Sequence, residues 1–334
     1  MSKNLFEGII TPMVTPLTDR ENIDIKGLEK LLDHLVNGGV NGIFLMGTTG
    51  EGTSISYRMR KELIRHSVEY VNHRVPIFVS IADCCIEESL NMARYAKECG
   101  ATYLVTALPF YLGLTQKEII NYYTTIADNV PLPLFLYNIP AQTQLMISVD
   151  AVKTLANHPN IIGMKDSSGN GTYFNTLLAE VKANHPDFTI LVGPDEMLAS
   201  TMTLGGNGGV NSGSNLFPEL YVNLFKACKA KDTERILKLQ KLVMKVSTEV
   251  YSIDKSSVSF LKGLKAALFT EGLITDYICE PLERVNDVDL EIIRKNVAEL
   301  KRQISQINPE KPDVPLNKND AFQKVQKRHV QEKR

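Results

Sequence analysis

"NIIGMKDSSGN" occupies residues 160–170 and puts an ammonium, Lys165, at the end of a short apolar run. Pro159 precedes the run and the small polar "SSGN" follows it, the boundaries expected of a short buried strand. Lysine is seldom buried without a partner, so a strand that ends in one needs a reason.

Outward from this stretch the same unit repeats. Short apolar runs fall at Gly8–Thr11, Gly42–Leu45, Pro76–Ser80, Tyr103–Thr106, Leu134–Tyr137, Ile161–Met164, Thr189–Val192 and Gly208–Asn211. Between them lie "IKGLEKLLDHLVNGG", "YRMRKELIRHSVEYV", "EESLNMARYAKECG" and "QKEIINYYTTIADN", whose apolar residues recur at helical spacing and whose ends often meet glycine or asparagine. Near-continuous apolar strands, each followed by a helix, predict a parallel sheet buried on both faces. Eight such units predict an α/β fold, a (β/α)8 TIM barrel, with a doubly wound open sheet as the alternative. The barrel is expected over residues 1–231. Three helical patterns then predict a C-terminal helical extension over 232–307, and the charged, proline-bearing 308–334 reads as a flexible tail.

The composition narrows the function. With 334 residues and a formal net charge of −1, the chain shows no charge excess that would steer it to nucleic acid or a membrane surface, and a small neutral or anionic metabolite is the better fit. Cys84, Cys85, Cys99, Cys228 and Cys279 form no CxxC pair, so neither a zinc site nor a disulfide framework is expected, and no metal or other cofactor is called for. The apolar stretch in "MSKNLFEGIITPMVTP" is too short and too interrupted by Pro12 and Pro16 for a signal peptide or a membrane span, so a cytoplasmic location is expected.

Barrels of this kind carry their chemistry at the carboxyl ends of the strands. Lys165 ends the sixth run and Tyr137 the fifth; Thr48 and Thr49 follow the second in "FLMGTTGEG", and Tyr111 follows the fourth in "TALPFYLG". All five are expected at one mouth. An amine of ordinary basicity is neutral in only about one molecule in 2,500 at pH 7, whereas one withdrawn from water with no facing carboxylate keeps a useful neutral fraction and can attack a carbonyl. Asp166 is adjacent, but consecutive strand residues face opposite ways, so it need not pair with Lys165. The alternative at this position is a lysine in a structural ion pair.

"GTTGE", "LPFY", "YNIPA" and "GMKDSSG", in that order and spacing, resemble the motifs of the dihydrodipicolinate synthase and N-acetylneuraminate lyase superfamily of class I aldolases, over about residues 5–300. The resemblance implies that Lys165 forms an imine with C2 of pyruvate or a 2-oxo acid and that Tyr137 shuttles protons. It implies that Thr48 and Thr49 hold the substrate carboxylate and relay protons, and that Tyr111 enters the relay of a neighbouring subunit. Homo-oligomers are implied too, usually tetramers built as dimers of dimers.

Two positions bear on the substrate. Synthases of the family commonly read "YNVPSRTG", whose arginine binds a second carboxylate; here Gln142 stands in "YNIPAQTQ", and an amide lacks that charged fork. "GPDEMLAS" resembles the "GYDEIFAS" of the lyases, which implies Gly193, Asp195 and Glu196 in substrate binding, with the two acids accepting from a polyol. Asp195 also reads as a helix N-cap. Ser167 and Ser212 occupy further positions that contact substrate in the lyases. The lyases differ in reading "GSTGE" and in carrying an aromatic where Pro194 stands. The expectation is an aldolase for a 2-oxo-3-deoxy sugar acid, of the N-acetylneuraminate or 2-keto-3-deoxygluconate type, with dihydrodipicolinate synthase as the alternative. A phosphate cradle at "LGGNGGVNSGSN" matches neither standard glycine pattern, because Asn211 falls where a third glycine is needed. A non-catalytic 2-oxo acid sensor is opposed by Lys165 and Tyr137 themselves.

Overall fold

The computed structural model describes residues 5–307. Eight parallel strands close in chain order into a barrel: β1 (Gly8–Pro12), β2 (Gly42–Leu45), β3 (Ile77–Ser80), β4 (Tyr103–Ala107), β5 (Leu134–Asn138), β6 (Ile161–Asp166), β7 (Thr189–Val192) and β8 (Gly208–Gly209). The outer helices begin with α1 (Ile25–Asn37), α2 (Tyr57–Val71), α3 (Ile86–Cys99) and α4 (Gln116–Asn129). The second half has shorter ones: α5 (Pro140–Thr143), α6 (Val149–Leu155), α7 (Gly171–Thr176), α8 (Lys182–Asn184) and α9 (Leu198–Thr203). Then come α10 (Pro218–Ala230), α11 (Thr233–Glu249), α12 (Ser259–Thr270) and α13 (Asp287–Ile307).

The starts of the helices are written in their caps. Asp24 accepts the Gly27 N–H at α1, Ser56 accepts the Met59 N–H at α2, and Thr115 with Glu118 closes a reciprocal capping box at α4. In α2 the buried Met59, Leu63, Ile64, Val68 and Val71 return every three or four residues, and this stripe is what presses the helix onto the barrel.

The strands feed two apolar layers. Ile9, Ile43, Leu45, Val79, Leu104, Leu136, Met164 and Ile190 face outward into the layer shared with the helices. Ile10, Phe44, Phe78, Val105, Phe135, Leu191 and Val210 face inward and fill the barrel. That alternation has the period of two that β-strands impose. At the amino-terminal end Phe6, Phe78, Tyr103 and Phe135 pack ring against ring, with Phe78 centroids 5.2, 4.7 and 5.5 Å from the other three, so this end is plugged.

One irregularity governs the site. The β5–β6 register slips between Leu134, level with Ile161, and Phe135, level with Gly163. A slip of one residue exchanges the two faces of a strand. Without it Tyr137 would lie level with Met164; with it, Tyr137 lies level with Lys165. The slip requires a glycine: a Cβ on Gly163 would come within 2.6 Å of both Phe135 Cε1 and the Thr189 carbonyl oxygen.

β8 is shorter than the run predicted at 208–211, because after Val210 donates to the Val192 carbonyl the chain turns into a 3₁₀ turn at Ser212–Asn215. α11, α12 and α13 bury Leu242, Val246, Leu264, Leu268, Val297 and Leu300 in the same outer layer as the barrel, so the C-terminal helices continue its core. The tail expected at 308–334 lies outside the described residues. Among the described residues no helix is long and apolar enough to cross a membrane.

Candidate active site

The carboxyl ends of β2, β5 and β6 bring Thr48, Tyr137 and Lys165 together. Lys165 is 6% exposed and its Nζ lies 4.1 Å from the centre of the Tyr137 ring and 5.4 Å from that of Phe44. No carboxylate pairs with it among the described residues. Asp166 faces the other way: its carboxylate accepts from Asn138 Nδ2 at 2.8 Å and from the Ser168 N–H and hydroxyl, and burial pushes its pKa up. Beneath Lys165 is a void of about 10 Å³ walled by Ile10, Phe44, Phe78, Val105, Phe135, Leu191 and Val210. With the amine as the lone polar neighbour, this floor offers water too few partners to hold it.

The next links run along the mouth. Thr48 Oγ1 and Tyr137 Oη are 3.3 Å apart, and Tyr137 is buried. Thr49 Oγ1 is 2.9 Å from Ser212 Oγ, which ties the loop after β2 to the turn after β8. Thr48 and Tyr137 also border a cavity of about 390 Å³ that includes Ser80, Arg60, Gln142, Thr143, Val258 and Phe260. The amine over the Tyr137 ring and the hydroxyl pair of Tyr137 and Thr48 thus lie between a dry floor and an open cavity, an arrangement suited to attack on a carbonyl and to proton transfer.

The other predicted residues are arranged differently. Ser167 lies beside β7, where a Cβ on Gly193 would fall 2.0 Å from its Oγ, so Gly193 is required by close packing. Asp195 is 4% exposed and fully engaged: it accepts from Tyr221 Oη at 2.5 Å, Tyr251 Oη at 2.8 Å, the Ser212 N–H at 2.9 Å and the Gly213 N–H at 3.0 Å. It therefore does not cap its own helix but holds the 3₁₀ turn that carries Ser212, and no lone pair is left pointing at a polyol. Burial pushes its pKa up to about 6 despite these donors. Glu196 is exposed and accepts from Ser247 Oγ on α11 at 2.6 Å. Tyr111 is not brought to this mouth within one chain; it is 87% exposed, between Phe110 at 50% and Leu112 at 68%.

The sequence reading missed one buried group of the loop. Glu51, the acid of "GTTGE", pairs with Lys265 of α12, and both side chains are 2% exposed. A signal was present: in "SFLKGLKAALFT" Lys265 falls on the same helical stripe as Leu261, Leu264 and Leu268, where an unpaired cation is not tolerated. Among the described residues no group of three or more His, Cys, Asp or Glu side chains is placed to hold a metal ion.

Fold and site together define a (β/α)8-barrel lyase of the class I aldolase type. Residues 5–300 match the model of the dihydrodipicolinate synthetase family. A putative 2-dehydro-3-deoxy-D-gluconate aldolase of Escherichia coli K12, YagE, is 33% identical over 77% of this chain and 85% of its own. Among solved structures, dihydrodipicolinate synthase from Bacteroides thetaiotaomicron is 41% identical with a TM-score of 0.85, covering 88% of this chain and 98% of that one. The YagE structure, in complex with pyruvate, is 30% identical with a TM-score of 0.84, covering 89% and 99%. The chain belongs to the dihydrodipicolinate synthetase family.

Proposed function

We propose that Lys165 forms an imine with the C2 carbonyl of pyruvate or another 2-oxo acid, and that the enzyme makes or cleaves the C3–C4 bond of a 2-oxo-3-deoxy sugar acid. Attack of the neutral amine at C2 gives a carbinolamine, whose hydroxyl leaves as water with the proton of the Tyr137 phenol, so the products are the protonated imine and a Tyr137 phenolate. In cleavage, the C4 hydroxyl returns a proton to the Tyr137 phenolate left by imine formation, the C3–C4 electron pair moves into the imine, and an aldehyde departs. The enamine takes a proton at C3 and water then hydrolyses the imine, releasing pyruvate and restoring the amine. Thr48 relays protons to and from Tyr137, and Thr49 with the N–H groups of its loop binds the carboxylate.

The observation that carries this reading is Lys165 itself, buried, without a carboxylate and level with Tyr137. The experiment is borohydride reduction in the presence of pyruvate, read by intact mass. The wild type is expected to gain one pyruvate-derived adduct and Lys165→Ala none; a wild type without an adduct ends the imine reading.

The sugar-acid substrate is supported by the neutral hydroxyls and amides of the cavity wall, by Gln142 in place of a charged fork, and by relatives named as 2-dehydro-3-deoxy-D-gluconate and 2-dehydro-3-deoxy-D-pentonate aldolases. One observation favours a second reading, condensation of pyruvate with aspartate semialdehyde: Arg60 borders the same cavity, and the Bacteroides neighbour is named a dihydrodipicolinate synthase. Pyruvate release from a panel of 2-oxo-3-deoxy acids supports the first; condensation of aspartate semialdehyde without any aldol cleavage supports the second. The exposed run Phe110–Leu112 supports a homo-oligomer, a tetramer in which Tyr111 completes a neighbour's relay. The five free cysteines, two of them exposed, fit a reducing cytoplasm.

A further inference from the structure

The loop after β2 is held by a contact that nothing in the catalytic series uses. Glu51 closes this loop: its N–H donates to the Thr48 carbonyl at 3.1 Å, and the Gly52 N–H donates to the Gly47 carbonyl at 3.3 Å. Its carboxylate is divided between two distant donors. Oε2 takes the ammonium of Lys265 on α12, and Oε1 takes the backbone N–H of Cys279 at 2.7 Å. Two residues of the loop carry left-handed backbone without being glycine, Met46 at φ 60° and Glu51 at φ 53°. Such conformations persist where the surroundings over-determine them, and they gather at ligand-holding segments. The neighbouring residues are Thr48, bonded to Tyr137, and Thr49, bonded to Ser212.

We infer that the Glu51–Lys265 pair, together with the Cys279 N–H, is a positioning device that sets the Thr48–Thr49 loop for the substrate carboxylate, so that α12 governs affinity for the 2-oxo acid. A buried ion pair is poor evidence of stability, because apolar residues of like volume replace it with little loss; what it supplies is a fixed direction. Here that direction runs from a helix 214 residues away in sequence to the backbone of the loop. The start of the same helix, with Val258 and Phe260 just before and within it, forms a wall of the cavity, so its placement and that of the loop are set together. Glu51 borders the cavity, but its two oxygens are taken by Lys265 and the Cys279 N–H, so on this account the pair acts through Thr48 and Thr49.

The inference rests on the imine reading, and the test separates the two. Wild type without a borohydride-trapped adduct would defeat the reading. The positioning role is read from how much pyruvate the trapping needs. In the double variant Glu51→Gln/Lys265→Met, which leaves no buried charge unpaired, the thermal midpoint is expected within a few degrees of wild type. The pyruvate concentration for half-maximal trapping is expected to rise at least about ten-fold, with the trapping rate at saturation reduced less than about three-fold. A folded double variant whose half-saturation stays within two-fold of wild type overturns the inference. A second measurement needs no variant: saturating pyruvate should slow amide exchange in the wild-type peptides spanning α12 and Cys279, because coupling between two sites is reciprocal. Unchanged exchange there overturns it equally, including where the double variant fails to fold.

Discussion

Lys165 and Lys265 are the buried lysines among the described residues, 6% and 1% exposed, and their surroundings are opposite. Lys265 meets the Glu51 carboxylate, whose other oxygen is held by a backbone N–H, so its charge is fully answered. Lys165 meets the faces of Tyr137 and Phe44 and an apolar void. A buried amine left without a counter-charge is costly, and a fold keeps one where it has work to do. The paired lysine fixes geometry; the unpaired one is free to react.

The largest effect expected from breaking this contrast is Lys165→Ala, which should lower kcat by about 10⁴-fold or more while the urea midpoint stays level or rises, since an uncompensated buried amine has been removed. A fall in stability comparable to that of Lys265→Ala would make the two lysines alike and collapse the distinction. Lys265→Ala leaves the Glu51 carboxylate buried without its cation, and should cost about 3–5 kcal/mol in urea unfolding. Next in size, Tyr137→Phe keeps the ring beside Lys165 but removes the hydroxyl, so the trapped adduct should survive while turnover falls on the order of 10²-fold.

An effect of similar size, seen only in the pH profile, concerns a buried acid that has donors but no cation. Burial raises the Asp195 pKa from 3.8 to about 6. A carboxyl with its native pKa above its unfolded value keeps its proton longer in the native state. Its contribution to stability is therefore present below about pH 4 and is lost as pH rises through 6, on the order of 3 kcal/mol. Asp195→Asn should flatten that part of the stability profile, measured by urea unfolding between pH 4 and 7.

Much of this arrangement was legible in the chain because it depends on local period and strand order. The eight apolar runs lie where the strands are, since parallel strands buried on both faces leave uninterrupted apolar stretches, and order along a barrel then places β5, which ends near Tyr137, beside β6, which ends near Lys165. The slip at Gly163 was not legible: a glycine inside a strand does not say which partner residue it will oppose. Nor were the partners of Glu51 and Asp195. Lys265, Tyr221 and Tyr251 reach them from α10 onward, across sequence distances at which no periodicity operates. For the same reason Asp195 resembled an open acceptor when its motif was read alone, although two phenols and two amides already surround it. Strand order put the stretch around Tyr111 at the mouth but could not say which way each side chain points: Leu108 and Phe110 border the cavity, while Tyr111 is 87% exposed.

The aromatic plug at the amino-terminal end has a kinetic consequence. Among the described residues Phe6, Phe78, Tyr103 and Phe135 close the amino-terminal end, so a molecule that comes in by the mouth and reaches Lys165 lies below whatever arrives next. Molecules in a blind shaft form a queue, and the one that enters first leaves last.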